Sequence, residues 1–454
     1  MKEMPESVLN RSKRPITEEN APLTWDWPQR WTSPGSKLQS SKGDSALSNI
    51  SQPKIVFLNQ GNEPLFRIDF QWNHGFWLER NFLSTRIMAR MLSEGTVQRS
   101  ASEWTKAVDH WGGQIRFSTE AEQTTATLMV LDRFLPYVWP LFLEAITEPA
   151  FQQEELNSII QSKIQHWHIE SRKLSFLAGR QLRQLVYPVD HPEARLSTPA
   201  DYEAITREHL MDAHHQLLSS REISLSVCGP NSASVIPGLL KDLHRTFTTT
   251  VSESSRKHPL SSLEFPVPAP AVVFVPKADA LQVSLRAALV WPPKTNPVYH
   301  RLKILVTVLG GYFGSRLMQN LREELGLTYG VGARLRSYRN HSLMTVQSEL
   351  LAGSETLALE QIRFEMDRLG RELLSNAEWG RVRSYLRGQL MAGLDGSFAL
   401  MDRYWDLESF GLGEDYLREY LRTLDETSPA DLMELAAQYL QPDRLVVATA
   451  GPSA

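Results

Sequence analysis

Cysteine is nearly absent: the chain has one, Cys228, among 454 residues. A lone thiol excludes an intrachain disulfide framework and any structural zinc site built from several thiolates. It also agrees with a reducing compartment. Long apolar runs are missing too. No run of 18 apolar residues occurs, so no membrane span is expected. The N-terminal MKEMPESVLNRSKRPITEEN carries charge without an apolar segment, unlike a secretory signal, and a cytoplasmic protein is expected. Charge of one sign is lacking as well. With 48 basic against 52 acidic residues the net charge is -4, which gives no electrostatic ground for a nucleic-acid or anionic-membrane partner.

What is present is the composition of a globular protein, 42% hydrophobic and 22% charged. A chain of this length exceeds one ordinary core, so two or more domains are expected. Residues 1–50, rich in Ser, Pro, Lys, Asn and Thr, form an N-terminal extension without sustained period. Its tryptophans Trp25, Trp27 and Trp31 argue for an ordered tail along the folded body.

From about residue 53 the pattern becomes regular. PKIVFLNQ and LFRIDFQWN read as strands, followed by helices over about 79–93 and 101–111. QIRFSTEA and TTATLMVLD form a strand pair. Helices are expected over about 134–147, 152–174, 175–185 and 200–218, and EISLSVCGP closes the unit as a strand. The second half repeats the order. It opens on the strand 280–291, then a helix, a strand pair, helices from about 354 to 440, and the closing strand RLVVATAGP. The closing strands match, and EELNSIIQSKIQHW (154–167) matches AEWGRVRSYLRGQL (377–390), so one α/β unit occurs twice. The expected fold is α+β: two homologous sandwich domains, each a mainly antiparallel sheet with helices on one face. The expected boundaries are 51–230 and 271–454, with a linker at 231–270.

Two stretches carry chemical information. In TRIMARMLSEGT (85–96), Ile87, Met88, Met91 and Leu92 fall at helical spacing, and Arg86 and Arg90 stand at i and i+4 on the opposite face. Glu94 lies four residues beyond Arg90, so the local reading is a polar helix face with a modest ion pair. The other reading has both arginines projecting into a substrate chamber. In LGGYFGSRLMQNLREELGLTYGVGARL (309–335) the glycines Gly310, Gly311 and Gly314 lack the Lys-Ser/Thr ending of a phosphate loop. A helix ends at Gly326 and a strand begins near Leu327. Locally, Arg322 could pair with a neighbouring glutamate and Tyr329 could fill a strand face. His166 and His168, at i and i+2, do not face together on a helix, and the adjacent His214 and His215 suit a surface or boundary position.

The stretch Gly-x-x-x-Ser-Arg-Leu…Leu-Arg-Glu-x-x-Gly-Leu-x-Tyr resembles the C-terminal half of insulinase/pitrilysin-family metallopeptidases, and with the repeat the resemblance covers about 55–454. In that family a helix carries His-x-x-Glu-His, two zinc ligands and a general base, and a distal Glu completes the metal shell. Aligned on Gly95-Thr96, the resemblance puts Arg86 and Arg90 at the histidine positions, Ala89 at the base and His166 near the distal Glu. A guanidinium has no lone pair to offer a cation, and alanine takes no proton. The resemblance further implies that Arg322 and Tyr329 reach the substrate, Arg orienting a peptide carbonyl and Tyr donating to a developing oxyanion.

LNRSKRP and FLNQGNEPLFRIDF also look like the start of the family's non-catalytic partners. The expectation is therefore a non-catalytic subunit of a heterodimeric zinc metallopeptidase. This chain binds no cofactor itself, its partner subunit holds the zinc, and peptide is the substrate. The alternative is a peptide-binding or scaffold protein with no hydrolytic partner. A repurposed metal site at His166 is a third possibility.

Overall fold

The structure, a computed structural model, describes residues 54–59, 63–220, 223–230, 232–247, 268–413 and 415–452. The N-terminal extension with its three tryptophans lies outside the described residues, as does most of the expected linker.

The first half runs β1 (Lys54–Leu58), β2 (Leu65–Trp72), α1 (Ser84–Met91), α2 (Ala101–His110), β3 (Gln114–Thr119) and β4 (Thr124–Leu131). Then come α3 (Leu135–Thr147), α4 (Gln153–Glu170), α5 (Leu174–Val186), α6 (Pro199–Glu203), α7 (Arg207–Leu218), β5 (Ile223–Cys228) and α8 (Ser232–Phe247). The helix expected over 200–218 is two helices, because Thr206 turns extended and caps α7. The second half runs β6 (Ala271–Pro276), β7 (Gln282–Trp291), α9 (Tyr299–Val306), β8 (Thr328–Ser337) and β9 (Ser342–Leu351). It ends with α10 (Glu355–Leu369), α11 (Asn376–Ala392), α12 (Ser397–Glu408), α13 (Asp415–Glu426), α14 (Pro429–Tyr439) and β10 (Val446–Gly451).

Each half holds a five-stranded sheet, ordered β1-β5-β2-β4-β3 and β6-β10-β7-β9-β8. The two orders are one topology used twice, as the repeat implies. Both sheets are mixed. The closing strand pairs antiparallel with the central strand and parallel with the outermost one, β5 with β1 and β10 with β6. The second half therefore opens on β6, one strand before the expected first strand at 280–291. Helix α8 falls inside the stretch read as linker. Its Ile236, Leu239 and Leu243 join the first core, which a solvated connector would not do.

Alternation in the central strands assigns the faces. In β2, Phe66, Ile68, Phe70 and Trp72 point into the helices of their own half, while Arg67, Asp69 and Gln71 point the other way. That second face is covered by the opposite half. Helices α12 and α13 lay Leu400, Met401, Trp405, Leu417 and Tyr420 against Val56, Leu58 and Cys228. Reciprocally, Leu182 and Val186 of α5 pack on Ala288, Val446 and Ala448 of the second sheet. Each half thus lends the helical run after its long helix, α4 or α11, to the other half's sheet. Among the described residues no helix is long and apolar enough to cross a membrane.

Candidate functional site

Helix α1 is positioned by its own lead-in. Leu83 takes a left-handed conformation, φ 69°, which frees the first turn for a carboxylate cap. Glu79 fills that role: its Oε1 accepts from the Leu83 amide at 2.9 Å and its Oε2 from the Thr85 amide at 3.3 Å. Ile87, Met88 and Met91 anchor the apolar side in the core. The exit requires a glycine. Gly95 has φ +95°, and a Cβ there would meet the Ala101 backbone nitrogen at 2.8 Å. Beyond it, Thr96 and Arg99 both bind the Glu144 carboxylate, which fixes the turn.

The two arginines of α1 do different things. Arg86 is half-buried, with its guanidinium carbon 3.7 Å from the centre of the Phe76 ring. Burial is the main influence on it and pulls its pKa down, while Glu79 and Glu193 oppose that. Ala89 is buried. Arg90 is exposed and pairs with Glu94 Oε1 at 2.5 Å and with Ser93 Oγ at 2.7 Å. The ion pair expected from the i, i+4 spacing is present.

His166 lies across from Arg90. The exposed face of α4, with Glu155, Ser158, Ser162, Lys163 and His166, forms a cleft of about 440 Å³ with Arg90 and Glu94. The structure therefore brings Arg90 and His166 together and turns Arg86 aside. His166 stands 4.0 Å from Glu170 Oε1, one turn along its own helix. The donor set does not suit a zinc ion, because the guanidinium offers no lone pair. Among the described residues no group of three or more His, Cys, Asp or Glu could hold a metal. His168 sits edge-on to Trp167, and His214 Nε2 lies 2.7 Å from the Ile146 carbonyl oxygen, with burial lowering its pKa. His215 is exposed.

The second stretch is built on two π-helical turns, Thr307–Gly311 and Met318–Glu324. Gly310 is there for close approach: a Cβ would fall 2.7 Å from the backbone nitrogen of Ala333 in β8. The intervening Arg316 is structural, a role the sequence reading did not assign. Arg316 Nε and Nη2 reach the two Glu378 oxygens on α11 at 3.0 and 3.2 Å. Asn320 donates to Glu365 at 2.8 Å. These ties hold the second π-turn, at whose end Arg322 lies over the Phe313 ring at 4.8 Å. Among the described residues Arg322 forms no ion pair, so the local pairing with a neighbouring glutamate is not what the sequence encodes.

Tyr329 follows Gly326, whose φ of +63° ends the turn. It sits in edge strand β8 where the register slips between Thr328 and Val331. The slip re-aims the side chain. Tyr329 is 87% exposed and does not fill a strand face. Neither Arg322 nor Tyr329 lines the Arg90–His166 cleft.

The family model described as "Insulinase (Peptidase family M16)" matches residues 84–185, beginning at the first residue of α1. The model described as "Peptidase M16 inactive domain" matches residues 204–386, which include both π-turns, Arg322 and Tyr329. The chain is a two-domain homologue of the M16 insulinase-family peptidases. Curated relatives of this M16 homologue include the uncharacterized zinc protease YmxG of Bacillus subtilis, 24% identical over 70% of this chain and 76% of that protein. An uncharacterized zinc protease of Mycobacterium leprae is 22% identical over 82% of this chain and 83% of its own length. In fold, the M16 homologue is similar to a peptidase M16 inactive domain from Pseudomonas fluorescens (TM-score 0.79, 18% identity, 89% of this chain and 96% of that one). It is also similar to a protease from Helicobacter pylori (TM-score 0.76, 15% identity, 88% and 98%).

Proposed function

We propose that this chain is the non-catalytic subunit of a heterodimeric zinc metallopeptidase. It lends Arg322 and Tyr329 to a peptide-cleaving chamber whose zinc and general base belong to a partner insulinase-like subunit. The observation that carries the reading is the occupancy of α1. Arg86, Ala89 and Arg90 stand where the family resemblance puts two ligands and a base, and Arg90 is already committed to Glu94. Outward presentation of Tyr329 supports the second half of the reading, since a hydroxyl this exposed in its own chain is free to reach a neighbour. There it donates to the oxygen that gains charge as the peptide carbonyl is attacked, and Arg322 orients that carbonyl.

The test is co-purification from the native host with a tag on this chain, followed by a peptidase assay. A zinc-motif subunit at equal stoichiometry is expected. Tyr329→Phe or Arg322→Ala should lower kcat of the pair by about 10²-fold, as loss of an oxyanion donor does, without changing its assembly. If the chain comes down alone and inert, the second reading holds, a peptide-binding or scaffold protein with no hydrolytic partner. The exposed Phe313 and Tyr329 would then be its contact residues.

A further inference from the structure

A cavity of about 660 Å³ separates the outer face of β2 from α9, α12 and α13 of the other half. Its size falls in the range of small-molecule sites, roughly 300–1,000 Å³, and it reaches the surface at the exposed Asp402 and Glu120. Its lining shares no residue with the Arg90–His166 cleft, and a further cleft of about 640 Å³ lies between them, touching the cavity at Arg67 and Asp402 and the cleft at Arg90 and Glu94.

The carboxylates inside the cavity are largely spent. Asp69 takes Thr127 Oγ1 at 2.6 Å, Ser226 Oγ at 3.1 Å and the Arg67 guanidinium at 3.0 Å. Asp402 takes the other end of Arg67 at 2.6 Å. Asp406 binds Lys294 at 2.8 Å and Arg403 Nη1 at 3.0 Å. Glu122 accepts from the Arg339 amide at 3.3 Å.

Donors are left over. Lys303 Nζ lies 4.8 Å from the centre of the Tyr420 ring, and among the described residues no carboxylate pairs with it. Arg403 Nε, Trp405 Nε1 and Tyr420 Oη are buried without an acceptor in reach, all on residues of the same wall. Trp405 is 7% exposed and Tyr420 3%, so bulk water does not serve these donors freely. Around them stand the rings of Tyr299, Phe410 and Tyr416. A wall with surplus buried donors, a lysine that no carboxylate among the described residues pairs with, and an aromatic lining is complementary to an anion carried on an apolar body.

We propose that this cavity binds a carboxylate borne on an aromatic or apolar body. Lys303 and Arg403 take the charge, Tyr420 and Trp405 donate to it, and the body lies against the rings of Tyr416 and Phe410. A free small acid and the C-terminus of a short peptide share that chemistry. The electrostatics agree. Burial, with Arg403 and Lys294 nearby, pushes Lys303 down to about 8, so an arriving anion relieves strain that Asp406 only partly offsets. His300, pushed down to about 4 by burial, is neutral at pH 7 and adds no competing charge.

Isothermal titration of the full chain at neutral pH tests this, with four probes: the dipeptide Ala-Phe, its C-terminal amide, 3-phenylpropionate and inorganic phosphate. Ala-Phe should bind, with the amide at least about tenfold weaker, the equivalent of one charge-assisted hydrogen bond. Lys303→Met, which keeps the stem, and Tyr420→Phe, which removes only a hydroxyl, should each weaken Ala-Phe while leaving the melting temperature in place. Equal binding of 3-phenylpropionate supports a free acid, and binding of the dipeptide alone supports a peptide C-terminus. Four results overturn the proposal: acid and amide binding alike, affinity unmoved by both substitutions in folded protein, phosphate binding as tightly as Ala-Phe, or no heat from any acid at about 10 mM, the weak limit of a specific site.

Discussion

Removing Arg316 should uncouple the second π-turn from α11 and lower stability measurably. Its guanidinium grips both oxygens of Glu378 at 3.0 and 3.2 Å, with side-chain exposures of only 9% and 19%. Deleting one member of such a pair strands the other charge and costs about 3–5 kcal/mol when burial is complete. Glu378 keeps some contact with water, so Arg316→Met is expected near the lower bound, about 3 kcal/mol. For a chain of 454 residues unfolding as one unit, at about 2.1 cal/mol/K of unfolding entropy per residue, that corresponds to a fall in Tm of roughly 3 °C. Urea unfolding followed by circular dichroism supplies the free energies for a double-mutant cycle with Glu378→Gln. A coupling of about 2 kcal/mol is expected, and the double variant should lie well short of the sum of the singles. A cost for Arg316→Met within about 0.5 kcal/mol of zero, the level of an ordinary surface change, would refute the reasoning. So would strict additivity. Because the same turn carries Arg322, the single variant should also reduce peptidase activity of any assembled pair, at the level of kcat more than assembly.

Gly310→Ala should destabilise by about 1–3 kcal/mol, the range for forced overpacking, because its methyl meets the Ala333 backbone at 2.7 Å. Gly388→Ala, where a Cβ meets nothing within 4 Å, is the stable control, and equal melting temperatures would sink the close-approach argument. His300, buried against Tyr416, is held down to about 4 in the folded chain. The unfolded chain therefore binds more protons between about 6.5 and 4, and His300 stabilises the fold above about 6.5 and loses that contribution as pH falls through the window. The loss amounts to about 3 kcal/mol by pH 4. His300→Phe should flatten the acid limb of urea midpoints measured at pH 7 and pH 4.5, and an unchanged limb would refute it. Met401→Ala should cost about 2–5 kcal/mol as a core truncation, since Met401 of α12 is fully buried in the layer that covers the first sheet. Unfolding should stay a single transition, because each half covers the other, and two separated calorimetric peaks would contradict that exchange.

How much of this was legible in the sequence depends on the range of the interaction. Strand β2 was readable because its alternation is local: Phe66, Ile68, Phe70 and Trp72 against Arg67, Asp69 and Gln71. The Arg90–Glu94 pair followed from helical spacing alone. Strand β6 escaped because AVVFVP follows a Pro-rich stretch and lacks a polar alternate, and helix α8 escaped because Pro237 breaks its pattern. The Arg316–Glu378 clamp spans 62 residues of chain, and no local pattern announces it.

By itself the sequence determined the doubled α+β unit and the residue types on α1, since periodicity and side-chain chemistry are properties of neighbours in the chain. The same is true of the Arg322–Tyr329 stretch, whose spacing carries the family resemblance. Tertiary structure alone decided which of those residues meet. It turned Arg86 onto Phe76 and set Arg90 opposite His166, because the crossing of α1 and α4 depends on how both pack in one core. It aimed Tyr329 outward through a slip in edge pairing. It also closed the cavity at Lys303 by laying α12 and α13 of one half across the sheet of the other, and no sequence-local signal specifies which open face a displaced helix will cover.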